Sequence, residues 1–152
     1  MEFTQVGRPL TVQDLAALEQ LVGELPEELR QHYLRYNGGV PEKSCFTDDA
    51  DAENEIDNFL TVGHRQYTDE VLLEDYYRAV VLDRQEFPTG YVPFARNGGD
   101  DLYVMSRDDG SIYFWAHDVP DEPLRPVAAS LPSLLNRMQT AAEYYGDEDD
   151  PD

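Results

Sequence analysis

The chain has 152 residues, 41% of them hydrophobic and 11% aromatic, enough for one packed core and too apolar for a disordered chain. Eleven Lys and Arg stand against 32 Asp and Glu, a net charge of −21. Such a surface repels nucleic acid and anionic membranes, which argues against both as direct partners, and it attracts a basic protein; added solubility is the plainer use of the same charge.

Cys45 is the single cysteine, so neither an intramolecular disulfide nor a Cys-based zinc site can form. The opening residues MEFTQVGRPL lack the basic start and apolar core of a signal peptide. No apolar run nears the roughly 20 residues needed to span a bilayer. These features predict a reduced, cytoplasmic protein.

In chain order, Thr11 is placed to cap a helix, with Asp14 as its partner in a loose capping box. Leu15, Leu18, Leu21 and Val22 then recur at helical spacing, and Gly23 ends the run. Pro26 suits the first turn of a second helix, where Glu27 and Glu28 favour the positive end. Leu29, Tyr33 and Tyr36 form its apolar stripe, and Asn37-Gly38-Gly39 supplies a left-handed stop. Residues 48–57, DDADAENEID, hold six acids and no base, a composition that predicts a solvated loop. Ile56, Phe59, Leu60 and Val62 predict a strand over about 55–62.

Asp69 is the expected cap of a third helix that carries Leu72, Leu73, Tyr76 and Val80 on one face, and Phe87-Pro88-Thr89-Gly90 breaks it. Val92, Phe94 and Ala95 predict a strand before the Asn97-Gly98-Gly99 turn. Leu102–Met105 and Ile112–Trp115 flank Asp108-Asp109-Gly110, a hairpin signal in which glycine supplies the positive φ. Both runs are apolar on both faces, as in inner strands covered by helices. Pro120, Pro123 and Pro126 read as a link to a last helix near Leu131–Tyr144. Residues 1–146 read as the folded domain and 147–152 as an acidic disordered tail. The element order predicts an α+β fold, a single domain with a mainly antiparallel sheet packed with surrounding helices.

Candidate chemistry is thin. A phosphate loop needs Gly-Lys-Ser/Thr after its glycines, whereas Asp100 and Asp101 follow Gly98-Gly99. A calcium loop needs glycine at its sixth position and glutamate at its twelfth. Counted from Asp49 those positions are Asn54 and Leu60, and from Asp48 they are Glu53 and Phe59. His32, His64 and His117 have no metal-ligand spacing, and no base is marked for a Cys45 nucleophile. His117-Asp118 reads as a turn with a hydrogen-bonded histidine. The residues therefore predict no catalytic site, no metal and no cofactor.

Glu19, Leu21-Val22-Gly23, Leu25-Pro26, Tyr33-Leu34 and Asn37-Gly38-Gly39-Val40-Pro41 begin a longer pattern. It resumes at Ile56 and Phe59, then at Val92-Pro93-Phe94-Ala95, Gly98-Gly99-Asp100 and Leu102-Tyr103. It ends with Gly110, Ile112-Tyr113-Phe114-Trp115 and His117-Asp118. In order and spacing these residues resemble the SUKH superfamily, which includes the Smi/Knr-type cell-wall regulators of fungi. The acidic insert at 48–55 and the acidic tail belong to this chain and inherit no role.

The resemblance implies a non-enzymatic α+β domain. Bacterial members are typically immunity proteins that bind and neutralise a cognate polymorphic toxin, delivered by contact-dependent or type VI secretion and related routes, and many such toxins are nucleases or other enzymes acting in the cytosol. A protein of charge −21 is suited to meet a basic toxin, since opposite charge steers encounter. The expected contact patch is Asp48, Asp49, Asp51, Glu53, Glu55 and Asp57, whose carboxylates could occupy phosphate subsites. The alternative is a regulatory or scaffold module like the fungal proteins. Oligomeric state is left open.

Overall fold

Thr11 opens α1 (Val12–Val22), its hydroxyl accepting from Asp14 N while the Asp14 carboxylate accepts from Thr11 N. The expected capping box is therefore formed in this computed structural model, which describes residues 1–63, 71–119 and 121–146. Leu15, Leu18 and Val22 face the core, and Gly23 (φ +92°) ends the helix. Pro26 precedes α2 (Glu27–Arg35), whose Leu29 and Tyr33 are fully buried.

The exit from α2 differs from expectation. Tyr36 leaves the helix in extended conformation, and Asn37, 3% exposed, is used as a stitch. Its Nδ2 donates to Arg8 O and Val62 O, and its Oδ1 accepts from Val62 N. Three chain segments meet on one amide because each of its polar atoms finds a backbone mate. Gly38 and Gly39 take positive φ, and a Cβ on Gly39 would stand 2.7 Å from Thr4 O. The left-handed glycines thus let the chain pass close to the N-terminal strand.

That strand, β1 (Phe3–Thr4), pairs with β2 (Val40–Pro41). A second antiparallel pair joins β3 (Cys45–Thr47) to β4 (Glu53–Glu55). The main sheet is antiparallel in the order β5 (Asn58–Phe59), β6 (Tyr91–Arg96), β7 (Leu102–Ser106), β8 (Ile112–Trp115), β9 (Arg125–Ala128). All five residues of β7 are buried, as its two-sided apolar sequence predicts for an inner strand. The fold is α+β, with antiparallel sheets and surrounding helices, as expected.

Several local expectations need correction. Residues 55–62 are not one strand. Ile56 N bonds Ser44 O and Asp57 N bonds Arg96 O, so the chain changes sheets there. The supposed proline link contains β9, an edge strand in which the missing N–H of Pro126 is tolerated. The last helix is two helices, α4 (Leu131–Arg137) and α5 (Ala141–Tyr145). Between them Met138 is extended, and Gln139 exchanges backbone bonds with Cys45. Thr140 then starts α5 with its own capping box to Glu143. In the third helical region, α3 (Leu73–Tyr76) continues as a π-helical segment (Tyr77–Asp83). The wider turn carries Tyr77, Val80 and Val81 inward together, while Leu72 and Tyr76 are half-buried. Asp69, His64, Pro120 and the tail 147–152 lie outside the described residues.

Candidate binding surface

The acidic segment 48–57 is not a solvated loop. Asp48 is 3% exposed, its side chain 0%, and its carboxylate organises the β3–β4 turn. Oδ1 accepts from Ala50 N at 2.9 Å and Ala52 N at 3.0 Å. Oδ2 accepts from Asn54 Nδ2 at 2.9 Å and Arg125 Nε at 2.8 Å. Burial by itself would raise the pKa of Asp48. The hydrogen bonds from Ala52, Asn54 and Arg125, with the Arg125 charge, outweigh burial and hold the carboxyl below its ordinary value. Asp51 takes φ +63°, which closes the turn.

Asn54 is the second node. Its Nδ2 also reaches Ala52 O, and its Oδ1 accepts from Tyr103 Oη and Arg125 Nη2. The Arg125 guanidinium lies 4.3 Å from the centre of the Phe114 ring. One edge strand thus supplies the cation that ties the hairpin to the main sheet. Asp49 does the same at the other end, with Arg137 Nη1 at 2.9 Å from its Oδ1 and its own N–H on Val127 O. Arg137 also donates to Thr47 O and Val127 O, so the end of α4 is clamped to the hairpin.

The other four acids face solvent. Glu53 and Glu55 alternate with buried Asn54 and so project from one side of β4. With the Asn97–Gly99 turn, Tyr103, Phe114 and Arg125 they line a polar cup of about 290 Å³. Asp57 stands 3.8 Å from Arg96 and is largely exposed. Among the described residues no ion pair engages Asp51, Glu53 or Glu55. The structure therefore splits the six predicted contact residues: Asp48 and Asp49 hold the hairpin, and Asp51, Glu53, Glu55 and Asp57 present charge.

A larger concavity lies elsewhere. A groove of about 900 Å³ runs between α2 and α4 beside β1, with Phe3, Leu34, Tyr36, Leu131 and Leu135 among its apolar walls. Glu27 and Glu28 stand at the start of α2 and Arg35 at its end. His32 borders it, 9% exposed and ringed by Phe3, Tyr33, Tyr36 and Phe59, with Nε2 unpartnered. Desolvation, assisted by Arg35, lowers its pKa to about 4, so the ring is neutral at physiological pH. Composition gave no signal for this groove, because its walls come from three separated segments.

The remaining candidates are placed as follows. Cys45 is 1% exposed within β3. His117 bonds Asp101 rather than Asp118: Nδ1 is 2.7 Å from Asp101 Oδ1, and His117 N donates to the same oxygen. The Asp101 hydrogen bond raises the His117 pKa. Asp101, His117 and Asp118 bring possible donor atoms within 4.8 Å of one another at a largely exposed turn. The Asn97–Gly99 stretch is a turn, as read: Asn97 Oδ1 accepts from Gly99 N and Asp101 N, which leaves those amides engaged.

Residues 9–137 match the SMI1 / KNR4 family (SUKH-1). The chain belongs to that family. It is also 25% identical over 158 residues to the SPbeta prophage-derived uncharacterized protein YokK of Bacillus subtilis (strain 168), a match covering 92% of this chain and 80% of that protein. In this SUKH-1 domain the residues that carried the resemblance take structural places. Glu19 Oε2 accepts from Leu25 N and pairs with Arg30 at 2.6 Å, bracing α1 against α2. Tyr33 Oη is shared between Leu60 O and Phe94 O, and Trp115 stacks edge-on with Phe87. The residues that carried the resemblance therefore build the sheet and the helical hairpin, while the exposed acids of β4 are not among them.

Proposed function

We propose that this SUKH-1 protein is an immunity protein that binds and neutralises a cognate polymorphic toxin, a basic, nuclease-type effector acting in the cytosol and delivered by a contact-dependent or type VI secretion system. It acts without catalysis, by covering the toxin's active site. The observation that carries this reading is the acidic hairpin held rigid from below. Asp48, Asn54 and Arg125 fix its turn and so preset Asp51, Glu53 and Glu55, and Asp57 follows where the chain joins the main sheet. Such carboxylates can occupy subsites that a nuclease uses for phosphates, with little ordering cost on binding. A net charge of −21 would speed encounter with a basic partner, more so at low salt. Among the described residues no helix is long and apolar enough to cross a membrane.

The experiment is co-expression with the toxin encoded by the adjoining gene. Survival that depends on this chain is the expected result. Cells that die equally with and without it would remove the immunity role and favour the scaffold reading. The patch has its own test, charge reversal of Asp51, Glu53, Glu55 and Asp57 to lysine. The expected result is weaker toxin binding with a flatter dependence on salt. Unchanged affinity and salt dependence would remove the patch and leave the role.

A further inference from the structure

The outer edge of β4 is an open strand edge whose hydrogen-bonding phase is fixed by its neighbours. Asp48 N donates to Ala52 O and Ile56 N to Ser44 O, so 48/52 and 44/56 are bonded pairs of the β3–β4 ladder. Bonded pairs alternate in an antiparallel ladder, and the register Phe46↔Asn54 makes that pair the bonded one between them. The backbone N–H and C=O of Glu53 and Glu55 therefore point away from β3. Cys45, opposite Glu55, points outward on its own side in the same phase and exchanges both bonds with Gln139. Among the described residues nothing bonds the four outward backbone groups of Glu53 and Glu55. Other edges are engaged: Gln139 holds that of β3, and Val127 O of β9 accepts from Asp49 N and Arg137 Nη1.

A strand with unpaired backbone groups along one edge is a template for another strand. The side chains of β4 select the occupant. Self-pairing about Asn54 would set Glu53 against Glu55 of a second copy, and two chains of −21 repel. Among the described residues no ion pair neutralises Glu53 or Glu55, so the residues paired with them are favoured as cations. We propose that the outer edge of β4 receives an extended segment of the protein's cationic partner, with lysine or arginine opposite Glu53 and Glu55. The proposal rests on the immunity reading and adds to it a main-chain contact that carboxylates alone do not supply. Paired residues share one face of the pleat, so the residue opposite Asn54 turns inward as Asn54 does. There the cup of about 290 Å³, walled by Tyr103, Phe114 and Arg125, has room for one side chain.

The test uses the full chain and peptides of about seven residues in which lysine and valine alternate, one unmodified and one N-methylated at its lysines. N-methylation keeps every charge and removes the donors that would meet Glu53 O and Glu55 O. NMR titration should show the methylated peptide binding at least about tenfold more weakly. Equal affinity would mean plain Coulombic attraction and overturns the edge. A glutamate–valine peptide that bound as well as the lysine peptide would overturn the choice of a cation. Hydrogen exchange reads the phase directly. With the lysine peptide at about ten times its Kd, the Glu53 and Glu55 amides should slow about tenfold, while Asn54, already bonded to Phe46, changes least. Unslowed Glu53 and Glu55 amides also overturn the proposal. In the co-expression assay, Glu55→Pro and Glu55→Ala lose the same charge, but only proline lacks the outward N–H, a loss that an edge strand tolerates. Glu55→Pro should protect less. Equal protection overturns the edge and leaves the immunity role intact. If the unaltered chain gives no protection, the role fails, and the peptide and exchange measurements, which need no variant, still decide the edge.

Discussion

Replacing Asp48 by alanine removes the acceptor of four hydrogen bonds, from Ala50 N, Ala52 N, Asn54 Nδ2 and Arg125 Nε. Asn54 Nδ2 retains Ala52 O, and Arg125 retains Asn54 Oδ1 and the Phe114 ring. The two turn amides lose their side-chain acceptor. Ala50 is exposed and Ala52 half-buried, so water takes over part of what these amides lose, and the Arg125 contribution is discounted because its side chain is 33% exposed. The expected loss is about 1–2 kcal/mol. With a urea m-value near 2 kcal/mol per molar, the midpoint should fall by roughly 0.5–1 M at unchanged m. Glu53→Ala, which removes an exposed acid of the same hairpin, should stay within about 0.5 kcal/mol of the unaltered chain. The pH dependence has a definite sign. The native pKa of Asp48 lies below its ordinary 3.8, so its ionised form contributes stability that is fully present above about pH 4. The gap between the unaltered chain and Asp48→Asn should close as pH falls through the lower native value. An Asp48→Ala midpoint no lower than that of Glu53→Ala would refute the view that this carboxylate holds the hairpin.

Three further outcomes follow from the same geometry. His32 should give no NMR titration between pH 5 and 8, because its native pKa is about 4 against an ordinary 6.5. The unfolded chain then takes up the proton first, so stability should fall as pH drops from about 6.5 towards 4, and His32→Phe should reduce that slope. His117, by contrast, should titrate above 6.5, and Asp101→Asn should bring it back down; an unmoved midpoint would show that Asp101 is not the cause. Tyr33→Phe deletes a buried hydroxyl that serves both Leu60 O and Phe94 O, and denaturant unfolding should show a loss of about 1–2 kcal/mol.

The parts of the fold legible in the sequence were those with local signals. The capping box at Thr11 and Asp14, the start of α2 after Pro26 and the hairpin around Gly110 each depend on residues a few positions apart. What was missed depends on distant partners. Asp48 looked like one more solvated acid because its cation, Arg125, lies 77 positions away. Residues 53–55 became strand because Cys45–Thr47 offered a free edge and Asn54 found Tyr103 beneath it. Pro126 marked a linker by composition, yet an edge strand can spare the N–H that proline lacks. The split between α4 and α5 was in principle readable from Thr140-x-x-Glu143, a second capping box inside the expected helix. The acidic site was thus legible in charge and not in architecture, and the α2–α4 groove was not legible at all.

The most direct measurement is a titration of the purified toxin domain's catalytic activity with the purified chain. The account predicts stoichiometric loss of activity, complete near one equivalent, with weaker inhibition when Asp51, Glu53, Glu55 and Asp57 are reversed to lysine. Full toxin activity in the presence of excess chain would contradict it.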